Sequence, residues 1–147
     1  MSLIVTPKGN LHHGNMDISC DSHVSDAMID KVQTVDQEIS AWDAVQIMKK
    51  NNIGSVVVLS AIFDAVGIFT ERDLMNKIVA EGKSAKDVKV KDVMTPDFDC
   101  VQMEDSLCDI PQIMHDGNYS HIPVVKGHEV VGILSSDDLL DFLIRDK

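Results

Sequence analysis

The sequence predicts a mixed α/β (α+β) chain assembled from two copies of one β-α-β-β-α unit. Three observations predict it. The 147 residues suit one compact domain with a core of its own. Sliding the chain on itself by 66 positions, from Met28 to Met94, lays VSDAM (24–28) over VKDVM (90–94). Within each copy, short β-branched runs alternate with apolar residues at helical spacing.

The repeat continues through the chain. Val35 falls on Val101, Glu38 on Glu104, Ser40 on Ser106, Asp43 on Asp109, and QIM at 46–48 on QIM at 112–114. One extra residue in copy one, near 61–64, shortens the offset to 65, and VGI at 66–68 then meets VGI at 131–133. A duplicated supersecondary unit needs its twin to cover its apolar face. The expected organisation is a leader at 1–23, flexible or loosely docked, copy one at 24–81, a polar linker at 82–89 and copy two at 90–147.

Each element has a local reason. Ser40 and Ser106 precede helical patterns carrying Ala44, Val45, Ile47 and Met48, and Leu107, Ile110, Ile113 and Met114. SVVVL (55–59) and HIPVV (121–125) are nearly all apolar, as strands buried on both faces are. After a turn, AVGIF and VVGIL make the next strands, and Leu74, Ile78 and Val79, like Leu139, Leu140, Leu143 and Ile144, mark a closing helix. Pro111 conflicts with this pattern, because it sits five residues after Ser106 and removes a backbone donor.

Composition narrows the function. Twenty-four acids against 13 bases give a net charge of −11, which opposes the phosphate backbone and argues against nucleic acid as a partner. No apolar run reaches the ~20 residues of a membrane span, and no secretory signal opens the chain, so the expected location is the cytoplasm. Three cysteines without C-x-x-C spacing suggest reduced thiols rather than a disulfide framework or zinc site.

The chemistry-bearing stretch is GIFTERD (67–73), repeated as GILSSDD (132–138). A hydroxyl residue followed three positions later by an acid satisfies free N–H groups at a helix start. Ser40-x-x-Asp43 and Ser106-x-x-Asp109 show the same spacing without the preceding glycine and are read as pure caps. On residues alone, capping stands ahead of ligand binding.

Together with D-x-Met at 26–28 and 92–94 and IPVV at 122–125, these motifs resemble the tandem cystathionine-beta-synthase (CBS) domain pair, or Bateman module, over residues 24–145. The resemblance implies two copies about a pseudo-twofold axis, with up to two clefts for adenosine-containing ligands such as AMP, ADP, ATP, S-adenosylmethionine or NAD. It also implies a homodimer. Read this way, the chain is a regulatory sensor that requires no cofactor and signals to an unidentified effector protein in trans; with no convincing nucleophile–base pair, metal motif or dinucleotide fingerprint, it is not expected to be an enzyme. The alternative is an interaction module with degenerate clefts, acting through dimerisation. A regulated subunit of a membrane transporter is a third, remoter class.

The implied ligand residues are Thr34, Val56, Val57, Gly67, Thr70, Arg72 and Asp73 in copy one, and His121, Ile122, Pro123, Gly132, Ser135 and Asp138 in copy two. The glycines would allow close approach of a bound group. Thr70 and Ser135 add a hydroxyl near phosphate, and ionised Asp73 and Asp138 accept from ribose hydroxyls. Strands at Val56-Val57 and Ile122-Pro123 supply an adenine slot. The copies are unequal: Ser55 stands opposite His121, Cys100 opposite Thr34, and Asp137 opposite Arg72, where a second acid repels phosphate. One working cleft is as consistent with these residues as two.

Other motifs are set aside. GKS at 82–84 lacks the earlier glycine of a phosphate loop. His12-His13 and His23 have no accompanying ligand set. Met48, Met75 and Met114 read as core or dimer contacts.

Overall fold

A computed structural model describes residues 20–145. Copy one contains helix α1 (Val24–Ala27), strand β1 (Thr34–Asp36), helix α2 (Ala41–Asn51) and strands β2 (Ser55–Leu59) and β3 (Ala65–Thr70). It closes with one α turn, α3 (Glu71–Asp73), which runs into a π-helix at Leu74–Val79. Copy two contains α4 (Val90–Val93), β4 (Thr95–Pro96), β5 (Val101–Gln102), a 3-10 turn at Leu107–Asp109 and α5 (Ile110–Gly117). Strands β6 (His121–Lys126) and β7 (Glu129–Ser135) and helix α6 (Ser136–Arg145) complete it. The predicted β-α-β-β-α order is present in both copies.

Local chemistry sets the helix ends. Ser40 accepts a hydrogen bond from the Asp43 amide at 3.0 Å, and Asn52 ends α2 in the left-handed region at φ 52°. Asn118 ends α5 in the same way at φ 54°; asparagine tolerates this conformation better than most residues. Copy two departs at its first turn, where Ser106 accepts from Cys108 rather than Asp109. Pro111 then stands in the first turn of α5, where a missing N–H costs nothing, so its conflict with a continuous helix from Ser106 disappears.

The sheets exchange segments. Sheet one has the order β1-β2-β3-β4, so β4 of copy two pairs antiparallel with β3 of copy one, Thr95 opposite Ile68. Sheet two has the order β5-β6-β7, and Ile29 of copy one bridges Ile133 through backbone bonds of 2.9 and 3.0 Å. Ile29 and Thr95 are equivalent in the repeat, as are Ile68 and Ile133. The pseudo-twofold relation is therefore built into the backbone pairing.

The cores follow the same exchange. Val90, Val93 and Met94 of copy two pack with Val56, Phe69 and Ile78 of copy one, while Val24, Ala27 and Met28 of copy one pack with Ile122, Leu134 and Leu139 of copy two. A Cβ on Gly67 would lie 2.5 Å from Met94 Sδ, and one on Gly132 would lie 2.6 Å from Met28 Sδ. The space beside each glycine is filled by a methionine of the other copy, not left for a bound group. D-x-Met and the glycine motif thus form one interlocking device.

Of the leader, residues 1–19 lie outside the described residues, and His12-His13 lie there with them. Residues 20–23 are docked on copy two: Ser22 accepts from the Leu107 amide at 2.9 Å and His23 bridges Ser106. The linker region lies against the start of α2, with Ala41 donating to Val88 at 2.9 Å and Trp42 to Ala85 at 3.0 Å.

Candidate functional site

The exchange of β4 and Ile29 leaves two equivalent clefts between the copies. One is lined by Thr70, Arg72, Asp73, Thr95, Asp97, Asp99 and Tyr119, among others, and encloses about 270 Å³. The other is lined by Ile29, Lys31, Gln33, Ser55, Ile133, Ser135, Asp137 and Asp138, among others, and encloses about 730 Å³.

In the smaller cleft every expected function of Asp73 is already taken by the protein. Its Oδ2 accepts from the Thr70 amide at 3.0 Å, and the Thr70 hydroxyl in turn accepts from the Asp73 amide at 3.2 Å, completing a capping box. Its Oδ1 accepts from the Thr95 hydroxyl at 2.9 Å and pairs with Lys77 Nζ at 2.9 Å. Asp73 is 6% exposed, and a carboxylate buried so deeply is stable only with such partners. Across the cleft Arg72 donates to the Asn118 carbonyl and Tyr119 to Asp99. The Arg72 bond ties the two copies together over the cavity, and the Tyr119–Asp99 bond lies within copy two.

In the larger cleft Asp138 makes the cap and no more. Its Oδ2 accepts from the Ser135 amide at 3.0 Å and its own amide donates to Ser135 Oγ at 2.9 Å. The position of Thr95 is occupied by Ile29 and that of Lys77 by Phe142, so neither can hydrogen-bond a carboxylate. Among the described residues, Asp138 Oδ1 receives no hydrogen bond.

His121 lines both clefts. A Cβ on Gly54 would lie 2.7 Å from its Nε2, so Gly54 makes room for the ring. Burial lowers the His121 pKa, against the charges of Glu71, Asp138 and Asp137, which raise it. Burial outweighs these charges, so protonation of the ring is disfavoured in the folded chain.

The expected ligand residues divide. Ser135, Asp138 and His121 meet in the larger cleft; Thr70, Arg72, Asp73, His121 and Pro123 meet in the smaller. Thr34 and Val57 lie instead on a third cavity of about 640 Å³, with Phe63 and Glu129. Val56 and Ile122 are buried in the two cores, and Gly67 and Gly132 lie beneath Met94 and Met28. Sequence reasoning missed Lys77, Thr95, Ile29, Lys31 and Tyr119. The signal was present: the offset of 66 pairs residues 29, 31 and 33 with 95, 97 and 99, and those pairs differ in chemistry.

Two tandem CBS domains match the family model, at residues 24–80 and 90–145. The chain belongs to the CBS domain family, as a tandem pair, which is a regulatory and signal-transduction module. It is 31% identical to the CBS domain-containing protein CBSX3, mitochondrial, of Arabidopsis thaliana over 84% of this chain and 65% of that protein. It therefore spans less than two thirds of that relative's length. A CBS-domain protein of Burkholderia ambifaria MC40-6, described in terms of signal transduction, superposes with a TM-score of 0.75 at 30% identity, covering 80% of this chain and 86% of that one. A hexameric CBS-CP12 protein from bloom-forming cyanobacteria superposes with a TM-score of 0.75 at 25% identity, over 86% and 75% of the two chains. CBS pairs are in general regulatory rather than enzymatic. No helix among the described residues is long and apolar enough to cross a membrane.

Proposed function

We propose that this chain is a regulatory sensor that binds one adenosine-containing nucleotide in the Asp138 cleft and signals to a partner protein in trans. The observation that carries the reading is the open Asp138 Oδ1 beside about 730 Å³ of cavity, in the range of pockets that hold small ligands. Asp138 accepts from the ribose hydroxyls, Ile29 and Ile133 flank the base, and Ser135, Lys31 and His121 face the phosphates. The Asp73 cleft, smaller and spanned by internal bonds, serves as a structural clasp. The ligand class is AMP, ADP, ATP, NAD or S-adenosylmethionine.

The same repeat supports a homodimer. Met75 and Val79 of copy one are 57% and 66% exposed, and their equivalents Leu140 and Ile144 of copy two are 46% and 60% exposed. Duplicated apolar positions on the two closing helices offer a self-complementary face of the kind a twofold dimer buries.

A thermal-shift panel with the five ligands tests the reading. At about 100 times its dissociation constant, a true ligand stabilises the fold by roughly 2.7 kcal/mol. No shift with any of the five overturns nucleotide sensing and leaves the module acting through protein contacts.

A further inference from the structure

Cys20 lies in the segment docked before copy one, and Cys108 lies in the first turn after Ser106 in copy two. The two segments run antiparallel: His23 bridges Ser106, Leu107 donates to Ser22 at 2.9 Å, and Val24 donates to Asp105 at 2.9 Å. Ser106 Oγ joins them at side-chain level, donating to the Cys20 carbonyl at 3.3 Å and lying 3.1 Å from Cys108 Sγ. Both cysteines carry free thiols; Cys20 is exposed and Cys108 half-buried.

We propose that Cys20 and Cys108 form a reversible intramolecular disulfide that clips the segment before copy one onto copy two. The oxidant is a small disulfide of the glutathione class. The Cys108 thiol gives its proton to solvent, and its thiolate attacks one sulfur of the small disulfide and expels the first small thiolate, which takes up a proton. The Cys20 thiol then loses its proton and attacks the Cys108 sulfur, expelling the second small thiolate. Two protein thiols are oxidised to one cystine, and the small disulfide is reduced to two thiols.

The order of attack follows from the surroundings. The single Ser106 hydroxyl proton, turned from the Cys20 carbonyl, can instead donate to a Cys108 thiolate 3.1 Å away. A hydrogen bond with Cys108 is the first cause that holds the Cys20 thiol above its ordinary pKa, with burial and the Cys108 charge adding to it. The attacking thiolate is therefore Cys108, and Cys20 is the resolving thiol. Cys100, also exposed, stands outside the pair. Because the clipped segment leads within nine positions to Ile29 on the wall of the Asp138 cleft, the bond stiffens that wall.

The test uses the full chain incubated with oxidised glutathione under native conditions, followed by thiol counting and peptide mapping. The expected result is loss of two of the three thiols, a Cys20–Cys108 peptide, a monomeric cross-link and full reversal by dithiothreitol. Cys100→Ser retains the cross-link, and Cys20→Ser abolishes it and accumulates a glutathione adduct on Cys108. Because Cys20 is exposed, that variant folds as the wild type does, which a melting curve checks. Glutathione adducts on wild type with no internal bond, a bond involving Cys100, or a bond only between chains overturns the proposal. None of these readouts depends on nucleotide binding.

Discussion

Asp73 and Asp138 occupy equivalent places in the repeat, cap equivalent helices and accept from equivalent amides, yet one is saturated and the other has an oxygen to spare. Two substitutions make the difference. Where copy one places Lys77 and copy two contributes Thr95 around Asp73, the counterparts around Asp138 are Phe142 and Ile29. A motif does not carry a function by itself. The same Ser/Thr-x-x-Asp is saturated by the protein or keeps an oxygen without a protein partner among the described residues, according to what the other copy presents to it.

The largest expected effect that separates the two acids is on stability. Asp73→Ala leaves Lys77 and Thr95 without their buried acceptor and is expected to cost about 2–3 kcal/mol in urea denaturation. Asp138→Ala removes a cap alone and is expected to cost about 1 kcal/mol. Equal costs would erase the distinction between the clefts.

Substitution of the glycines probes the feature the copies share. Gly67→Ala and Gly132→Ala each force a Cβ against a methionine sulfur and within 3.0 Å of a carbonyl oxygen, that of Thr95 or Ile29. Each is expected to lower stability by about 1–3 kcal/mol, as overpacking does. Thermal melts should show similar losses for both. A loss at only one glycine would mean that the interlock is one-sided.

His121 ties the clefts to pH. Burial is the first cause lowering its pKa, so the unfolded chain binds a proton more readily than the folded one. Stability from the neutral ring is present above the ordinary value of 6.5 and is lost as pH falls below it toward the lowered folded value. Relative to wild type, His121→Asn should flatten the decline in Tm below pH 6.5. An unchanged decline assigns it to other groups.

The smallest effect concerns Glu38, which Lys89 and then Lys91 hold down to a pKa of about 2, through bonds of 2.8 and 2.9 Å. A carboxylate so lowered contributes stability above its ordinary 4.5, and that contribution is lost as pH falls from there toward 2. Glu104, its repeat equivalent, has His23 and Ser25 at the positions of the two lysines. Glu38→Gln should therefore blunt the acid sensitivity of melting at low salt, whereas Glu104→Gln should not. Equal responses would contradict the pairing.

Much of this was legible in the sequence. The repeat, the element order and the buried strands β2 and β6 follow from spacing and from β-branched runs, which are local signals. The exchange of Met28 and Met94 between copies was not legible, because it joins residues far apart in the chain through a contact no periodicity encodes. Thr34 and Val57, ligand residues by resemblance, line a third cavity, a placement that depends on how the strands pack and is not encoded locally. Ser106 has the sequence context of Ser40, but in the 3-10 turn the amide that donates to its hydroxyl is that of Cys108 rather than Asp109. Lys77 and Thr95 escaped notice because a helix-face lysine and a residue after D-x-Met have no meaning until the copies are packed.

The most direct measurement is titration calorimetry of the stabilising nucleotide against wild type, Asp73→Glu and Asp138→Glu. Glutamate retains a capping box but carries the carboxylate too far out for ribose. One nucleotide per chain is expected, with binding kept in Asp73→Glu and lost in Asp138→Glu. Two nucleotides per wild-type chain, or binding lost in Asp73→Glu and kept in Asp138→Glu, would contradict it.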